Sequence, residues 1–320
     1  MKVIALEEHY LDPELARHFR EGGPEGRDAK LRERLENVSE LRLREMDEAG
    51  IDLQVLSHSA PGTQRLDPEA AVTLASAAND RLKRVVDGSN GRLAAFAMLP
   101  SANPEAAADE LERAVTRLGF KGAMIHGLTW IGAEKLFIDD KRFWPIFERA
   151  QALDVPLYLH PAVPHPAVVE AYYKDYLKEF PGLLTAAWGF TVETATQGIR
   201  MVLSGAFDRY PGLKIILGHL GESLPFSLWR IDMALARQGN RATPFRDTFR
   251  HHFWITTSGN FSTPALLCCV MEMGADRVLF SVDYPFVPNP PGTQWLHAVP
   301  LSREDRVKIL GGNAAKLLKI

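Results

Sequence analysis

The sequence predicts an α/β fold, a single (β/α)8 TIM barrel with an insertion after its fifth strand, on three observations. Short apolar runs alternate with longer amphipathic ones, the pattern of parallel strands joined by right-handed helical crossovers. The apolar runs number eight, the count that closes a barrel. Neither G-x-G-x-x-G nor a P-loop pattern occurs, so the phosphate-binding turn of the competing doubly wound sheet is missing.

Strands are expected at 3–6, 53–57, 93–98, 122–125, 157–159, 214–217, 253–257 and 278–282. Helices should begin where a capping side chain precedes a proline and an acid, as in Asp12-Pro13-Glu14, Asp67-Pro68-Glu69 and Asn103-Pro104-Glu105. Ser302 and Asp305 have the spacing of a capping box for the last helices. The helix expected over 104–118 carries Ala107, Leu111, Ala114, Val115 and Leu118 on one stripe, so it should cover a sheet from outside. A chain of 320 residues would also suit two domains. Eight strand-helix units instead assign residues 1–320 to one domain. The surplus over about 250 residues goes to longer loops and to a Pro-, Tyr- and Lys-rich excursion at about 161–184, expected over the active-site mouth or at a subunit interface.

Hydrophobic residues at 46% and charged residues at 24% give enough apolar material for a sizeable core and exclude disordered and fibrous classes. A net charge of -3 offers no broad basic field for nucleic acid or an anionic membrane surface. The two cysteines, Cys268 and Cys269, are adjacent and cannot staple distant parts of the chain. Four apolar residues at the N-terminus meet Glu7 and Glu8, too short a run for a secretory core, and no later run reaches ~18 residues. The expectation is a soluble, cytoplasmic protein with no nucleic-acid or membrane partner.

The chemistry gathers where strands end. Glu7 and His9 stand two apart, so the period of a strand aims both to one side and Glu8 to the other. His160 follows Leu157-Tyr158-Leu159, His219 follows Ile215-Ile216-Leu217-Gly218, and Asp283 closes the run from Val278 to Val282. Carboxyl ends of strands are where barrel active sites are built. One histidine after a strand is ordinarily a satisfied loop residue; four strand ends bearing His or carboxylate together point to a metal-dependent site. Imidazoles and carboxylates can hold one divalent ion, Zn2+ or Mn2+, with a position left open, whereas a closed structural zinc site would use cysteine. His58 and His126 also follow strands, and His251 and His252 precede one, where no catalytic role is expected.

Glu7-x-His9, Tyr158-Leu159-His160-Pro161, Gly218-His219-Leu220-Gly221-Glu222 and Phe280-Ser281-Val282-Asp283-Tyr284-Pro285-Phe286 together resemble the metal-dependent decarboxylase branch of the amidohydrolase superfamily. That branch includes the γ-resorcylate (2,6-dihydroxybenzoate) and 2,3-dihydroxybenzoate decarboxylases. The resemblance extends to Asn79-Asp80-Arg81-Leu82, Leu228-Trp229-Arg230-Ile231-Asp232 and Ile309-Leu310-Gly311-Gly312-Asn313-Ala314. Many amidohydrolases open with His-x-His, and the Glu-x-His here favours the narrower group.

The resemblance implies one ion, Zn2+ or Mn2+, held by Glu7, His9, His160 and Asp283, with His219 and Glu222 paired beside it. Gly218 would lead into a helix whose three-residue step returns Glu222 to the face of His219. It implies reversible, non-oxidative decarboxylation of an ortho-hydroxybenzoate, with Asp283 giving a proton to the ring carbon and His219 and Glu222 binding a hydroxyl or relaying a proton. Phe190, Phe286 and His126 would face the substrate, a small aromatic carboxylate. Arg230 would contact its carboxylate or pair with Asp232. Relatives often carry Asn at the position of His126, and they are usually homodimers or homotetramers. The alternatives are hydrolysis of a lactone or amide, hydration of an unsaturated acid, or an inactive scaffold. Against hydrolysis, the fourth strand ends Met124-Ile125-His126, without the bridging lysine typical of two-metal amidohydrolases.

Overall fold

The computed structural model describes residues 2–19, 28–236 and 244–320. Strands form at all eight expected places: β1 (Ile4–Tyr10), β2 (Leu53–His58), β3 (Leu93–Ala95), β4 (Ala97–Met98), β5 (Ala123–His126), β8 (Pro156–His160), β9 (Lys214–Leu217), β10 (Phe253–Thr256) and β11 (Val278–Leu279). Between β5 and β8 lies a hairpin, β6 (Thr129–Ile131) and β7 (Glu134–Leu136), that the sequence pattern did not predict. Its arms are too short to show a period, and only the turn at Gly132, with φ 58°, marks it.

The strands pair in parallel as β1-β2-β3 and as β11-β10-β9-β8-β5-β4. The expected strand 93–98 divides at Phe96 because the chain changes partner there. The Phe96 N–H donates to Leu56 O at 2.9 Å, while the Ala97 N–H donates to Gly122 O at 2.8 Å. The expected strand 278–282 keeps ladder pairing only over Val278–Leu279. Beyond it, Leu6 N–H donates to Phe280 O at 3.1 Å and a single parallel bridge joins Leu6 to Ser281.

Asp12, Asp67, Asn103 and Ser302 each accept hydrogen bonds from first-turn amides, capping Pro13–Ala16, Pro68–Gly88, Pro104–Thr116 and Arg303–Val307 as expected. The helix Pro104–Thr116 buries Ala107, Leu111 and Ala114 on its stripe. The period of two sorts the strand side chains into separate clusters. Leu6, Val55, Phe96, Met124, Tyr158 and Ile216, drawn from both parallel sheets, share one with Leu317 and Leu318 of the last helix, while the alternate positions pack against the surrounding helices. The stretch after β8 holds short helical turns at Pro166–Val168, Val169–Tyr173 and Pro181–Leu184, with Tyr172, Tyr176 and Phe180 exposed. No described helix is long and apolar enough to cross a membrane.

Candidate active site and metal centre

Glu7, His9, His160 and Asp283 each offer a ligand atom, and these atoms lie within 4.8 Å of one another. His9 and His160 come from regular strand. His9 Nε2 is 3.3 Å from Asp283 Oδ1, and His160 Nε2 is 3.3 Å from Glu7 Oε1. His160 Nδ1 is 2.7 Å from Pro161 O; as donor to that carbonyl it leaves Nε2 with a free lone pair facing the cluster. Glu7 reaches the same side as His9, but not by plain alternation. Its backbone has φ 58°, and the β1 register shifts between Ala5 and Glu8.

The Glu7 carboxylate is held asymmetrically. Hydroxyls of Tyr158, Ser258 and Thr256 donate to Oε2, while Oε1, fully buried, has no hydrogen-bond partner. Gly218 permits this approach, since a Cβ there would stand 2.8 Å from Glu7 Oε2. His9 Nε2 is buried without a hydrogen-bond partner as well. Burial, opposed by the neighbouring His219 and reinforced by Asp283, pushes the Glu7 carboxyl up to about 8. Burial and the neighbouring His9 keep His160 well below its ordinary value, in the neutral form that ligates. Orphaned buried ligand atoms, two carboxylates and neutral imidazole suit a single divalent ion.

His219 and Glu222 pair as expected, Nδ1 to Oε1 at 2.7 Å, but not through a helix of the usual hand. His219, Leu220, Gly221, Glu222 and Ser223 have φ of 48°, 57°, 74°, 53° and 63°, one left-handed turn. Burial disfavours charge on His219, yet Glu222 and Glu7, with Asp283 also contributing, hold it protonated, well above its ordinary value. Its Nε2 lies 3.7 Å from Glu7 Oε1 and 3.8 Å from Asp283 Oδ2. Asp283, at φ 70°, would be raised by burial, but His219 and His9 outweigh that and draw its carboxyl down.

The pattern-based reading missed the frame behind these groups. Glu8, pointing away from the cluster, accepts from Val282 N–H at 2.9 Å and Tyr284 N–H at 3.1 Å, the two amides flanking Asp283. Buried Arg42 donates to His9 O and lies 4.7 Å from the centre of the Tyr284 ring. A hydroxyl clasp and a buried Glu8 with Arg42 in its neighbourhood have no spacing that marks them in a sequence.

The remaining expected residues divide. The Phe286 ring stands edge-on to His9 at 5.5 Å and is 40% exposed. His126 Nδ1 lies 3.0 Å from His160 Nδ1. Phe190 is half-buried at the start of the helix Gly189–Leu203, with no ring contact to the cluster among the described residues. Arg230 is exposed and forms no ion pair with Asp232 among the described residues; Asp232 instead accepts from Arg246 N–H at 3.1 Å. His58 is structural: its Nε2 accepts from Asp12 N–H at 3.0 Å and its Nδ1 donates to Ser59 O at 2.7 Å. His252 Nδ1 lies 2.9 Å from Leu213 O.

The amidohydrolase family model matches residues 9–320. The γ-resorcylate decarboxylase of Polaromonas sp. (strain JS666 / ATCC BAA-500) is 42% identical over 327 residues, covering 99% of this chain and 98% of that protein. The γ-resorcylate decarboxylase of Rhizobium sp. (strain MTP-10005) is 39% identical over 325 residues, with 99% and 98% covered. A crystal structure of 2,6-dihydroxybenzoate decarboxylase complexed with 2,6-dihydroxybenzoate superposes with a TM-score of 0.91 at 38% identity, covering 100% of both chains. The dihydroxybenzoic acid decarboxylase of Polaromonas sp. JS666, solved with manganese and the inhibitor 2-nitroresorcinol, gives a TM-score of 0.90 at 41% identity over 99% of this chain and 97% of that one. With the Glu7-x-His9 cluster and the His219–Glu222 pair in place, the chain belongs to the metal-dependent decarboxylase branch of the amidohydrolase family.

Proposed function

We propose that this protein is a metal-dependent carboxy-lyase that removes carbon dioxide, without redox chemistry, from an ortho-hydroxybenzoate of the dihydroxybenzoate class, and carboxylates the phenol in reverse. The observation that carries this reading is the buried cluster of Glu7, His9, His160 and Asp283 with unpartnered ligand atoms, set beside a protonated His219. Full-length identity of about 40% to γ-resorcylate decarboxylases supports the substrate class.

Glu7, His9, His160 and Asp283 would hold one divalent ion, manganese being the ion bound in three related decarboxylase structures. The ion supplies Lewis acidity and a positive charge to an anionic aromatic ligand. Asp283 is a carboxylate at rest, so it acts first as a base, taking the proton of the phenol ortho to the carboxylate. It then gives that proton to the ring carbon bearing the carboxylate; the bond to the carboxylate carbon breaks, its electron pair returns to the ring, carbon dioxide leaves, and a proton from water converts the remaining phenolate to the phenol. His219, kept charged by Glu222, stabilises negative charge on the substrate oxygens and on Asp283 throughout. Phe286 and His126 border the ring; Phe190 and Arg230 are proposed as substrate contacts on the family resemblance alone.

The two parallel sheets form one closed (β/α)8 barrel and one domain in this reading. Partner exchange at Phe96, the Leu6–Ser281 bridge and a side-chain cluster shared by both sheets support the closure. The excursion at about 161–184 would be its insertion. The exposed Tyr172, Tyr176 and Phe180 there suit a subunit contact in a homodimer or homotetramer. We place the protein in the cytoplasm, with neither nucleic acid nor membrane as partner. The test is to incubate manganese-loaded protein with 2,6-dihydroxybenzoate and follow resorcinol. Turnover of lactones or amides with hydroxybenzoates inert would replace this reading by hydrolysis.

A further inference from the structure

Two cations share one aromatic ring above the strand ends that bear the site. The Arg65 guanidinium carbon lies 5.1 Å from the Trp130 ring centre and the Lys135 ammonium 4.9 Å from it. Arg65 belongs to the loop leaving β2, and Trp130 and Lys135 to the β6–β7 hairpin that follows β5. The Trp130 N–H donates to Gln64 O at 2.9 Å and ties the two segments together. Both segments leave their strands at the end that carries His126, whose ring touches the ligand His160.

This arrangement needs an explanation. An indole face attracts a cation only weakly where water has access, and the two cations repel each other. Neither has a carboxylate partner among the described residues, whereas Arg81, Arg113, Arg142 and Arg149 each grip carboxylates. Arg65 is also partly buried, and lost hydration lowers its affinity for a proton. A partly dehydrated cation without a counter-ion is costly in an isolated protein and suits one that receives an anion.

We propose that Arg65 and Lys135, spread on Trp130, form a rim site that takes the carboxylate of an aromatic acid and delivers it to the cluster. The inference deepens, and rests on, the reading of the substrate as a hydroxybenzoate. On a chain with a net charge of -3, a local pair of cations reverses the field an approaching anion meets. The rim binds the anion before any proton moves, so it acts on KM and leaves kcat alone.

The experiment compares wild type with Arg65→Ala, Lys135→Ala, the double variant and Arg65→Lys. Decarboxylation of 2,6-dihydroxybenzoate is measured at low and high sodium chloride, and carboxylation of neutral resorcinol in bicarbonate. The double variant is expected to lose about tenfold in kcat/KM at low salt with kcat near wild type. The deficit should close at high salt, Arg65→Lys should keep most of the rate, and the KM for resorcinol should not move. Unchanged kcat/KM and salt dependence, or an equal loss with resorcinol, would overturn the rim. If wild type is inert on hydroxybenzoates, the reaction reading fails on its own. Calorimetric titration with benzoate then decides the rim, weaker binding by the double variant supporting it and equal binding overturning it.

Discussion

The cluster is assembled from two kinds of backbone. His9 and His160 sit on ordinary strand, where alternation alone aims their rings. Glu7, His219, Glu222 and Asp283 all have φ between 48° and 70°, a region that costs a non-glycine residue about 1–2 kcal/mol. The two ligand imidazoles are placed by regularity and the charged groups against it. Strain of this kind persists only where the surroundings over-determine it, and here the hydroxyl clasp on Glu7, the Glu8 carboxylate around Asp283 and the Cys269 thiol on Leu220 O at 3.4 Å do so. Precision at the charged positions is therefore maintained by neighbours.

The sharpest break of this contrast is Asp283→Asn. Asparagine tolerates a left-handed backbone, so the fold should survive while kcat falls about 10³-fold or more; near-normal turnover would remove Asp283 from the proton path. Stripping the ion with a chelator should abolish activity and lower the melting temperature, with both restored by manganese; an indifferent protein would dissolve the metal site.

A pH series then separates the carboxylates from the imidazoles. Glu7 and Glu8 sit at about 8 in the fold against an ordinary 4.5. Groups raised in this way lend stability that is complete below the unfolded value and is lost as pH rises through the folded one. Metal-free protein should therefore weaken between about pH 6.5 and 8, above the range in which the depressed His58, His126 and His160 act in the opposite sense, and a bound ion should blunt the Glu7 part. Melting temperatures of the metal-free protein that rise across this window would contradict the assignment.

Glu222→Gln should lower kcat about 10- to 100-fold, through an imidazole no longer held charged. A variant with the wild-type rate and pH profile would make that pair merely structural. The smallest effect tests strain alone. Ser223 is exposed at φ 63°, so Ser223→Gly should stabilise by about 1 kcal/mol with unchanged activity, and a lower melting temperature would show that this backbone is not strained.

The same contrast explains what a sequence discloses. His160, His219 and Asp283 were legible because each follows an apolar run, and His9 because it stands two residues from Glu7 near the end of another; strand ends are where a barrel does its chemistry. Caps at Asp12, Asp67 and Asn103 were legible because their hydrogen bonds are local. The left-handed turn was not, because His219, Leu220 and Glu222 have no preference for it; Gly221 was its one hint. Tyr158, Ser258 and Thr256 converge on Glu7 from distant strands, a relation only the fold creates. Arg230 is a motif position that reads as functional, and its side chain stands exposed, so only the resemblance speaks for it.

The pairing of His219 with Glu222 also sets a charge balance. Two ligand carboxylates cancel a divalent ion, and imidazolium cancels the Glu222 carboxylate, so the loaded pocket is close to electroneutral. A benzoate brings the one surplus charge into it, and decarboxylation erases that charge by consuming a proton and releasing neutral carbon dioxide. The phenol left behind has nothing to hold it electrostatically. Product release is thereby written into the same side chains that perform the reaction, and inhibition by the phenol should be weak beside inhibition by an inert benzoate of equal size.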